Sequence, residues 1–220
     1  MIIYAGDIHG RLHAIKAIDS YAIQNNIQNV IQVGDFAIHW NTESCPIAEY
    51  FNTRETGPTW WTCGGNHDNW PHWFSLHSEG NLTELAKNCF YVHRGTTVEI
   101  DSRLHLFLGG AESIDRHYRV DGVSWWREET PTKEEFERFF LSLEAEKPEV
   151  VVTHDAPLQV DIFKYNRDSN PTPRALTNIF KYSNHHPKHW VFGHHHLLDS
   201  WMVEQTQFHC CGLEGEYIIL

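Results

Sequence analysis

Oxygen and imidazole donors recur directly after apolar segments of the chain. The donors are Asp7, His9, Asp35, Asn66, His67, Asp68, His154, His194 and His196. The set contains no thiolate, and imidazole with carboxylate suits first-row divalent metals such as Mn, Fe or Zn better than a structural cysteine-type zinc site. These residues therefore predict one metal cluster. If the cluster holds two ions, a carboxylate must bridge them, and Asp35 is the natural bridge because it stands alone on its segment.

The apolar segments before these donors have the pattern of buried strands. The stretches "IIYA", "NVIQV" and "TWWTC" are rich in β-forming residues, whereas Leu12, Ile15, Ile18 and Ala22 lie at helical spacing. This strand, helix, strand rhythm predicts βαβ units around a largely parallel sheet. Ligand sites of open α/β sheets lie beyond the carboxyl ends of the strands. The donors fall at those ends, so we expect the site there.

The second half of the chain continues this pattern. The stretch "CFYVHRGTTVEIDSRLHLFLGGA" predicts two or three short, mostly antiparallel strands, and "EVVVT" and "HWVF" predict further buried strands. Thr132 and Glu135 form a capping-box pattern before a helix, and Thr172 with Pro173 predicts the start of another. No linker, low-complexity tract or repeat divides the sequence. We therefore expect a single domain over residues 1–220.

Charge and cysteine usage exclude several classes of partner. The formal net charge of −12 over 220 residues argues against an extended groove for nucleic acid and against binding to an anionic membrane surface. Nucleotides stay open as ligands, because two divalent cations reverse the potential locally. Five cysteines without C-x-x-C spacing are typical of a reduced chain. Since no apolar run approaches membrane-spanning length and no signal peptide is recognised, we expect a cytoplasmic location.

Five short blocks resemble, in the same order and at compatible spacing, the signature blocks of the calcineurin-like metallophosphoesterase family. The blocks are "GDIHG" (6–10), "GD" (34–35), "GNHD" (65–68), "THDAP" (153–157) and "GHHH" (193–196). The resemblance spans residues 6–196. It implies a metal-dependent hydrolase of phosphate esters with an α/β fold, in which a β-sandwich of two mixed sheets is flanked by helices.

The resemblance also implies two metal ions and a role for each donor. Asp7, His9, Asp35 and His196 would hold one ion, and Asp35, Asn66, His154 and His194 would hold the other. His67 would be the catalytic imidazole, and Asp68 would orient it through a hydrogen bond. In such two-metal sites a bridging hydroxide attacks phosphorus in line, while the imidazole assists the leaving group. Mn is the metal favoured in vitro, with Fe, Zn and mixed-valence pairs left open.

Departures from one branch of the family narrow the substrate class. Serine/threonine protein phosphatases continue the second block as GD-x-V-D-R-G and have GNHE at the third, whereas this chain has "GDFAIHW" and "GNHD". A phosphodiesterase or a small-molecule or nucleotide phosphatase is therefore favoured over a protein phosphatase. The alternative from another class is a non-catalytic metal-binding scaffold for a protein partner. The complete donor set, with His67, weighs against that alternative.

Three arginines are candidate phosphate contacts. Arg11 directly follows "GDIHG", where a bidentate phosphate contact and a surface ion pair carry equal weight. Arg116 and Arg119 belong to the segment 112–129, which follows a predicted strand. Loops on a rigid scaffold often carry specificity, so we expect this segment to border the site.

An aromatic segment follows the third block and has two interpretations. Trp70, His72, Trp73 and Phe74 would form a wall for a base or aryl leaving group, with stacking worth about 1 to 3 kcal/mol per base. Alternatively, these rings cover the sheet edge or meet another subunit, and a homo-oligomer is compatible with the sequence. Packing is favoured, because large aromatics carry core energetics more often than ligand contacts. His195, between two donors, points away from them if its segment is extended.

Overall fold

The computed structural model describes residues 1–41, 43–162 and 167–220. In this part of the chain the strands are β1 Ile2–Ala5, β2 Asn29–Gln32, β3 Thr59–Thr62, β4 Ser78–Glu79, β5 Leu82–Ala86, β6 Cys89–Val92, β7 Thr96–Ile100, β8 Arg103–Leu108, β9 Val150–Thr153, β10 His189–Phe192, β11 Asp199–Val203, β12 Thr206–Cys210 and β13 Tyr217–Ile219. The helices are α1 Leu12–Gln24, α2 Pro46–Thr53, α3 Trp70–Ser75, α4 Lys133–Glu146 and α5 Pro171–Tyr182. Single 3₁₀ turns are formed by Arg116–Tyr118, Arg127–Glu129 and Arg167–Ser169.

The strands form two mixed sheets. The first has the order β13-β1-β2-β3-β6-β5-β4, and the second has the order β11-β12-β10-β9-β8-β7. Parallel neighbours make up the centre of each sheet: β1, β2, β3 and β6 in the first, and β8, β9, β10 and β12 in the second. Antiparallel strands flank both centres. The predicted α/β sandwich of two mixed sheets with flanking helices is confirmed.

Apolar contacts fill the space between the sheets and cover their outer faces. Tyr4 and Ile31 of the first sheet share a buried cluster with Phe107 and Val152 of the second. Successive strand residues point to opposite faces, so Val30, next to Ile31, lies in the outer cluster that includes α1, α2 and α3. Helices α4 and α5 cover the outer face of the second sheet. The loops at the strand ends therefore rest on sheets that are packed on both faces.

One of the two predicted helix starts is confirmed and the other is wrong. At α4 the capping box is present: the Glu135 N–H donates to Thr132 Oγ1, and the Thr132 N–H donates to Glu135 Oε2. Helix α5 begins at Pro171, before the predicted cap Thr172. The Thr172 hydroxyl instead donates to Glu112 Oε1 at 2.8 Å, a tertiary contact that competes with capping. Across the described residues, no helix is long and apolar enough to cross a bilayer.

The aromatic segment after "GNHD" forms helix α3 and packs into the core. Trp70 and Trp73 are fully buried, and their ring centroids lie 5.5 Å and 5.4 Å from that of Tyr91. Phe74 lies at the end of this cluster with 49% of its surface exposed. The favoured packing interpretation is confirmed for both tryptophans, so neither offers a face to a ligand.

Candidate active site

The loops after five parallel strands bring the predicted donors together. These loops follow β1, β2, β3, β9 and β10. The donors form two sets: the open ligand group, which consists of Asp7, His9, Asp35 and His196, and the buried ligand group, which consists of Asp35, Asn66, His154 and His194. In the open group, and among the three ionisable residues of the buried group, one ligand atom of each residue lies within 4.8 Å of the others. Asp35 belongs to both groups, which is the position that a bridging carboxylate requires.

Imidazole and carboxylate atoms face one another in the open ligand group. His196 Nε2 lies 3.1 Å from Asp7 Oδ2 and 3.3 Å from His9 Nε2. His9 Nε2 lies 3.6 Å from Asp35 Oδ2. The side chains of His196 and His9 are 41% and 22% exposed, whereas both carboxylates are buried. The group therefore opens to solvent on its imidazole side.

The buried ligand group has a donor arrangement that requires a cation. The His154 ring donates from Nδ1 to the Val33 carbonyl at 2.8 Å. Its Nε2 then faces Asp35 Oδ1 at 3.3 Å and Asn66 Oδ1 at 3.1 Å. Both oxygens are acceptors, so a proton or a metal ion must lie between them and Nε2. Burial acts to lower the pKa of His154, but the Asp35 carboxylate outweighs burial and raises it, so these residues fit a metal ion in place of that proton.

His194 enters the buried ligand group as a neutral imidazole. Its ring centroid lies 4.9 Å from that of His154. Burial lowers the pKa of His194 to about 3, so the ring keeps a free lone pair at neutral pH. The His194 backbone N–H donates to Asp7 Oδ1 at 3.1 Å. This bond ties the buried group to the open group.

Four ligands adopt a backbone conformation that is uncommon outside glycine. The φ angle is +46° at His9, +57° at Asp35, +65° at His194 and +53° at His196. A residue other than glycine in this region costs roughly 1–3 kcal/mol, and such residues cluster at functional sites. Contacts between loops hold these turns, since the His9 N–H donates to the Asp35 carbonyl at 2.8 Å. The strain therefore lies in the turns that aim the ligands inward.

A chain of hydrogen bonds decides which end of the Asn66 amide faces the ligands. Asn66 Nδ2 donates to Ser113 Oγ at 3.2 Å, and the Ser113 hydroxyl donates to Glu129 Oε2 at 2.6 Å. Because the amide nitrogen is committed to Ser113, the amide oxygen faces His154. Glu129 is buried, which raises its pKa. Neither Ser113 nor Glu129 was predicted individually, although both belong to the segment 112–129.

His67 lies beside the ligands without joining either group. Its backbone N–H donates to Asp35 Oδ1 at 2.7 Å, and its ring centroid lies 4.9 Å from that of His9. Arg119 contacts both ring nitrogens, with Nη2 2.7 Å from Nε2 and Nη1 3.3 Å from Nδ1. Burial is the main cause that lowers the pKa of His67, and the Arg119 charge acts in the same direction. Asp115 holds Arg119 in turn, with Oδ1 2.7 Å from Nε.

The orienting hydrogen bond expected between Asp68 and His67 is not made in the described structure. The Asp68 carboxylate instead accepts from the backbone N–H groups of Gly65 at 2.7 Å and Ala37 at 2.6 Å. Buried N–H groups need acceptors, and Asp68 satisfies those of two loops at once. Burial is the main cause that raises the pKa of Asp68 to about 7. Asp68 therefore joins the loop after β2 to the loop after β3.

A cleft of about 240 Å³ opens over the two ligand groups, and His67 and Arg119 line it. The family model for calcineurin-like phosphoesterases matches residues 1–198 of the 220. The chain belongs to the calcineurin-like phosphoesterase family. A comparison with curated proteins gave no match. Membership makes the protein a metal-dependent phosphoesterase, which is a hydrolase of phosphoric ester bonds.

The two ligand groups are the residues of this phosphoesterase that would hold divalent metal ions. Such ions, when bound, polarise phosphoryl oxygens and make water acidic enough to react near neutral pH. Imidazole, carboxylate and amide oxygen together suit first-row metals. Asn66 would contribute an oxygen without a charge, so the site would keep more positive charge for an anionic substrate than a further acidic ligand would leave.

The other two candidate arginines lie away from the cleft of the phosphoesterase. Arg11 forms an ion pair with Glu214 at 2.5 Å, and both side chains are more than 40% exposed. This contact matches the surface interpretation of Arg11. The Arg116 guanidinium lies 3.9 Å from the ring centroid of Trp125. Of the three predicted arginines, Arg119 is the one that lines the cleft.

Asp155 and Arg167 also line the cleft and were not predicted. Arg167 Nη2 lies 3.2 Å from Asp155 Oδ1, and His195 Nε2 lies 2.9 Å from the same oxygen. The ring of His195 thus contacts Asp155 rather than a ligand carboxylate. Asp155 belongs to the "THDAP" block, in which His154 was the residue predicted for the site. Arg167 follows no motif, so the sequence offered no signal for it.

Proposed function

We propose that the phosphoesterase hydrolyses small phosphate esters, either diesters or monoesters of a small molecule such as a nucleotide. The observation that best supports this is the pair of Arg119 and His67 in the cleft over the ligand groups. A guanidinium binds two phosphoryl oxygens in a bidentate contact, and an imidazole protonates a departing oxygen. The cleft of about 240 Å³ suits a small ester, since pockets for drug-sized ligands begin at roughly 300 Å³.

Docking of a phosphate beside Arg119 would also prepare His67 as the proton donor. Without substrate, burial and the Arg119 charge keep the pKa of His67 low. A bound phosphate takes over the contact with Arg119 and brings negative charge next to the ring. Both changes raise the pKa of the imidazole. His67 therefore gains a proton when the substrate that needs it is bound, and that proton passes to the leaving oxygen as the ester bond breaks.

The loop after β2 supports small esters over phosphoproteins. At the position of the protein-phosphatase arginine, this chain has His39. The His39 ring donates from Nε2 to the Leu85 carbonyl at 2.7 Å. A side chain committed to that carbonyl does not supply the second phosphate-binding charge that the protein phosphatases carry there.

A substrate panel tests the proposal. The Mn-loaded protein is given p-nitrophenyl phosphate, bis-p-nitrophenyl phosphate, nucleotides, dinucleoside polyphosphates and phosphopeptides, and kcat/KM is measured for each. We expect small esters to exceed phosphopeptides in kcat/KM. Arg119→Ala should lower kcat/KM by about 10- to 100-fold, the effect of losing a charged hydrogen-bond pair, and the surface variant Arg11→Ala should not. A preference for phosphopeptides, or an Arg119→Ala variant as active as wild type, would contradict the proposal.

A further inference from the structure

His67 lines two cavities, the cleft over the ligand groups and a more open second cavity of about 270 Å³. The second cavity is lined by His9, Gly10, Ala37, Trp40 and His67. We propose that this Trp40 cavity binds the leaving group of the substrate, and that the leaving group carries a planar aromatic ring such as a nucleobase. The inference rests on the proposed hydrolysis of small esters and names the part of the ester that gives specificity.

Trp40 is held in the way that a stacking platform requires. Its ring meets that of Trp126 edge to face, with centroids 4.8 Å apart and planes at 85°. Trp126 is buried, whereas Trp40 is partly exposed and faces the cavity. Because a buried partner fixes the indole before any ligand arrives, stacking on it costs little side-chain entropy.

The remaining walls of the Trp40 cavity leave room for a flat ring. Gly10 and Ala37 are small, and a Cβ atom added at Gly10 would meet only the Ala37 Cβ, at 3.8 Å. No lysine, arginine or carboxylate lines the cavity within the described residues. A second phosphate would find no lysine or arginine side chain there, whereas a neutral ring finds the indole face. The ligand class that fits is therefore aromatic rather than anionic.

The position of the Trp40 cavity relative to His67 connects it to the leaving group. The ring centroids of Trp40 and His67 lie 6.3 Å apart, with 31° between the ring planes. If His67 protonates the leaving oxygen, the atoms bonded to that oxygen must continue past His67. The Trp40 cavity provides the space at that point, whereas the phosphoryl group stays in the cleft with Arg119.

Two esters with the same leaving oxygen test this inference. Adenosine 5′-phosphate and ribose 5-phosphate both release a primary alkoxide and differ in the base. Trp40→Leu should raise KM about tenfold for adenosine 5′-phosphate, as expected for the loss of one stacked base, and should leave KM for ribose 5-phosphate unchanged. Trp40→Phe keeps an aromatic face and should restore most of the difference. Trp201→Leu, which changes a partly buried tryptophan of the second sheet, is the matched control.

Binding of adenosine alone, measured by calorimetry on Mn-loaded protein, separates this inference from the proposed function, because adenosine has no phosphate ester to hydrolyse. Wild type and Trp40→Phe should bind adenosine, and Trp40→Leu should bind it about tenfold more weakly. If binding depends on Trp40 but no small ester, neither these two nor the esters of the substrate panel, is hydrolysed, the proposed function fails and the subsite stands. If wild type does not bind adenosine, or if Trp40→Leu binds it equally well or alters both KM values alike, the subsite is overturned.

Discussion

The open and buried ligand groups share Asp35 but are held by different means. In the buried group, His154 is fully enclosed, and the Val33 carbonyl fixes its ring from outside the ligand set. In the open group, His196 exposes 41% of its side chain, and its Nε2 faces Asp7. A hydrogen bond from a ligand to a residue outside the ligand set, such as that of His154 to the Val33 carbonyl, orients the ligand. Loss of such a bond typically changes metal affinity by about 10- to 100-fold. We therefore expect the buried group to bind its ion more tightly.

The difference in solvent exposure between the groups also predicts different roles for the two ions. A tightly enclosed ion has little room to exchange its ligands, whereas an ion with a solvent-facing side can meet a substrate. Both groups border the cleft, the buried group through Asn66 and His194 and the open group through His196. The open group also borders the Trp40 cavity through His9. The phosphoesterase thus combines one preorganised half with one accessible half.

Asp35→Asn should have the largest effect, because it removes the charge that both groups share. We expect loss of both ions after dialysis and a decrease in kcat/KM of about 10³-fold or more, since metal stabilisation of the transition state is worth several kcal/mol. Elemental analysis and kinetics on equally folded proteins measure this. His196→Ala is the matched variant and should lose one ion. Equal metal content in Asp35→Asn and wild type would reject the bridge.

His67→Ala tests whether His67 acts outside both ligand groups. Two ions should stay bound, while kcat/KM for an alkyl ester falls by about 10²- to 10⁴-fold, the range for a positioned general acid. A p-nitrophenyl ester should lose markedly less, because its leaving oxygen carries negative charge without a proton. Asp68→Asn, which loosens two loops, should impair both esters alike. Equal losses for His67→Ala on both esters would place the imidazole on the phosphoryl oxygens, and loss of an ion would make it a ligand.

The ligands themselves were accessible from the sequence. Each of them lies within four residues of the end of a strand, so strand pattern and motif spacing together predicted where Asp35 or His154 lies. The sandwich was predicted as well, but through the family resemblance, since the strand rhythm by itself indicated only a parallel α/β sheet. Local pattern reaches this far because a strand and the loop that follows it are neighbours in the chain.

The partners of those ligands were not accessible, because they come from distant parts of the chain. Asp68 bonds Ala37, which is 31 residues earlier, and Asn66 bonds Ser113, which is 47 residues later. The N–H group that donates to a carboxylate depends on how the loops pack against each other. The hydrophobic periodicity of the sequence does not predict that packing. The aromatic residues around His67 show the same limit. Trp70, which is close to His67 in sequence, is buried in the core, whereas Trp40, which is farther away in sequence, lines the cavity beside His67.

Ser113→Ala should affect the buried group alone, with a smaller loss of metal affinity than Asp35→Asn. It removes the bond that holds the Asn66 amide, so affinity for the ion of the buried group should fall by about 10- to 100-fold. The ion of the open group should be unaffected. Competition with a chelator of known affinity gives both constants, and the exposed variant Ser200→Ala serves as control. Equal weakening of both ions would show that the two groups are not held separately.

Proton release on metal binding gives the smallest effect and concerns the buried group alone. The pKa of His154 lies at about 10 in the metal-free protein, because the Asp35 charge outweighs burial, so the ring is protonated at pH 8. An ion must displace that proton, whereas His194, with a pKa of about 3, has none to lose. Calorimetry in buffers of different ionisation enthalpy should therefore show about one proton released with the tighter binding event of wild type at pH 8. Binding of that ion without proton release would contradict this assignment.

Titration of Mn²⁺ into metal-free protein tests the division between the groups most directly, when hydrolysis of p-nitrophenyl phosphate is measured after each addition. We predict two binding events of unequal affinity. His154→Gln should remove the tighter event and His196→Gln the weaker one. Activity should rise with the second equivalent rather than the first, because both ions act on the phosphoryl group. A single event, two events of equal affinity, or full activity at one equivalent would contradict the assignment of one tight and one accessible ion to these two groups.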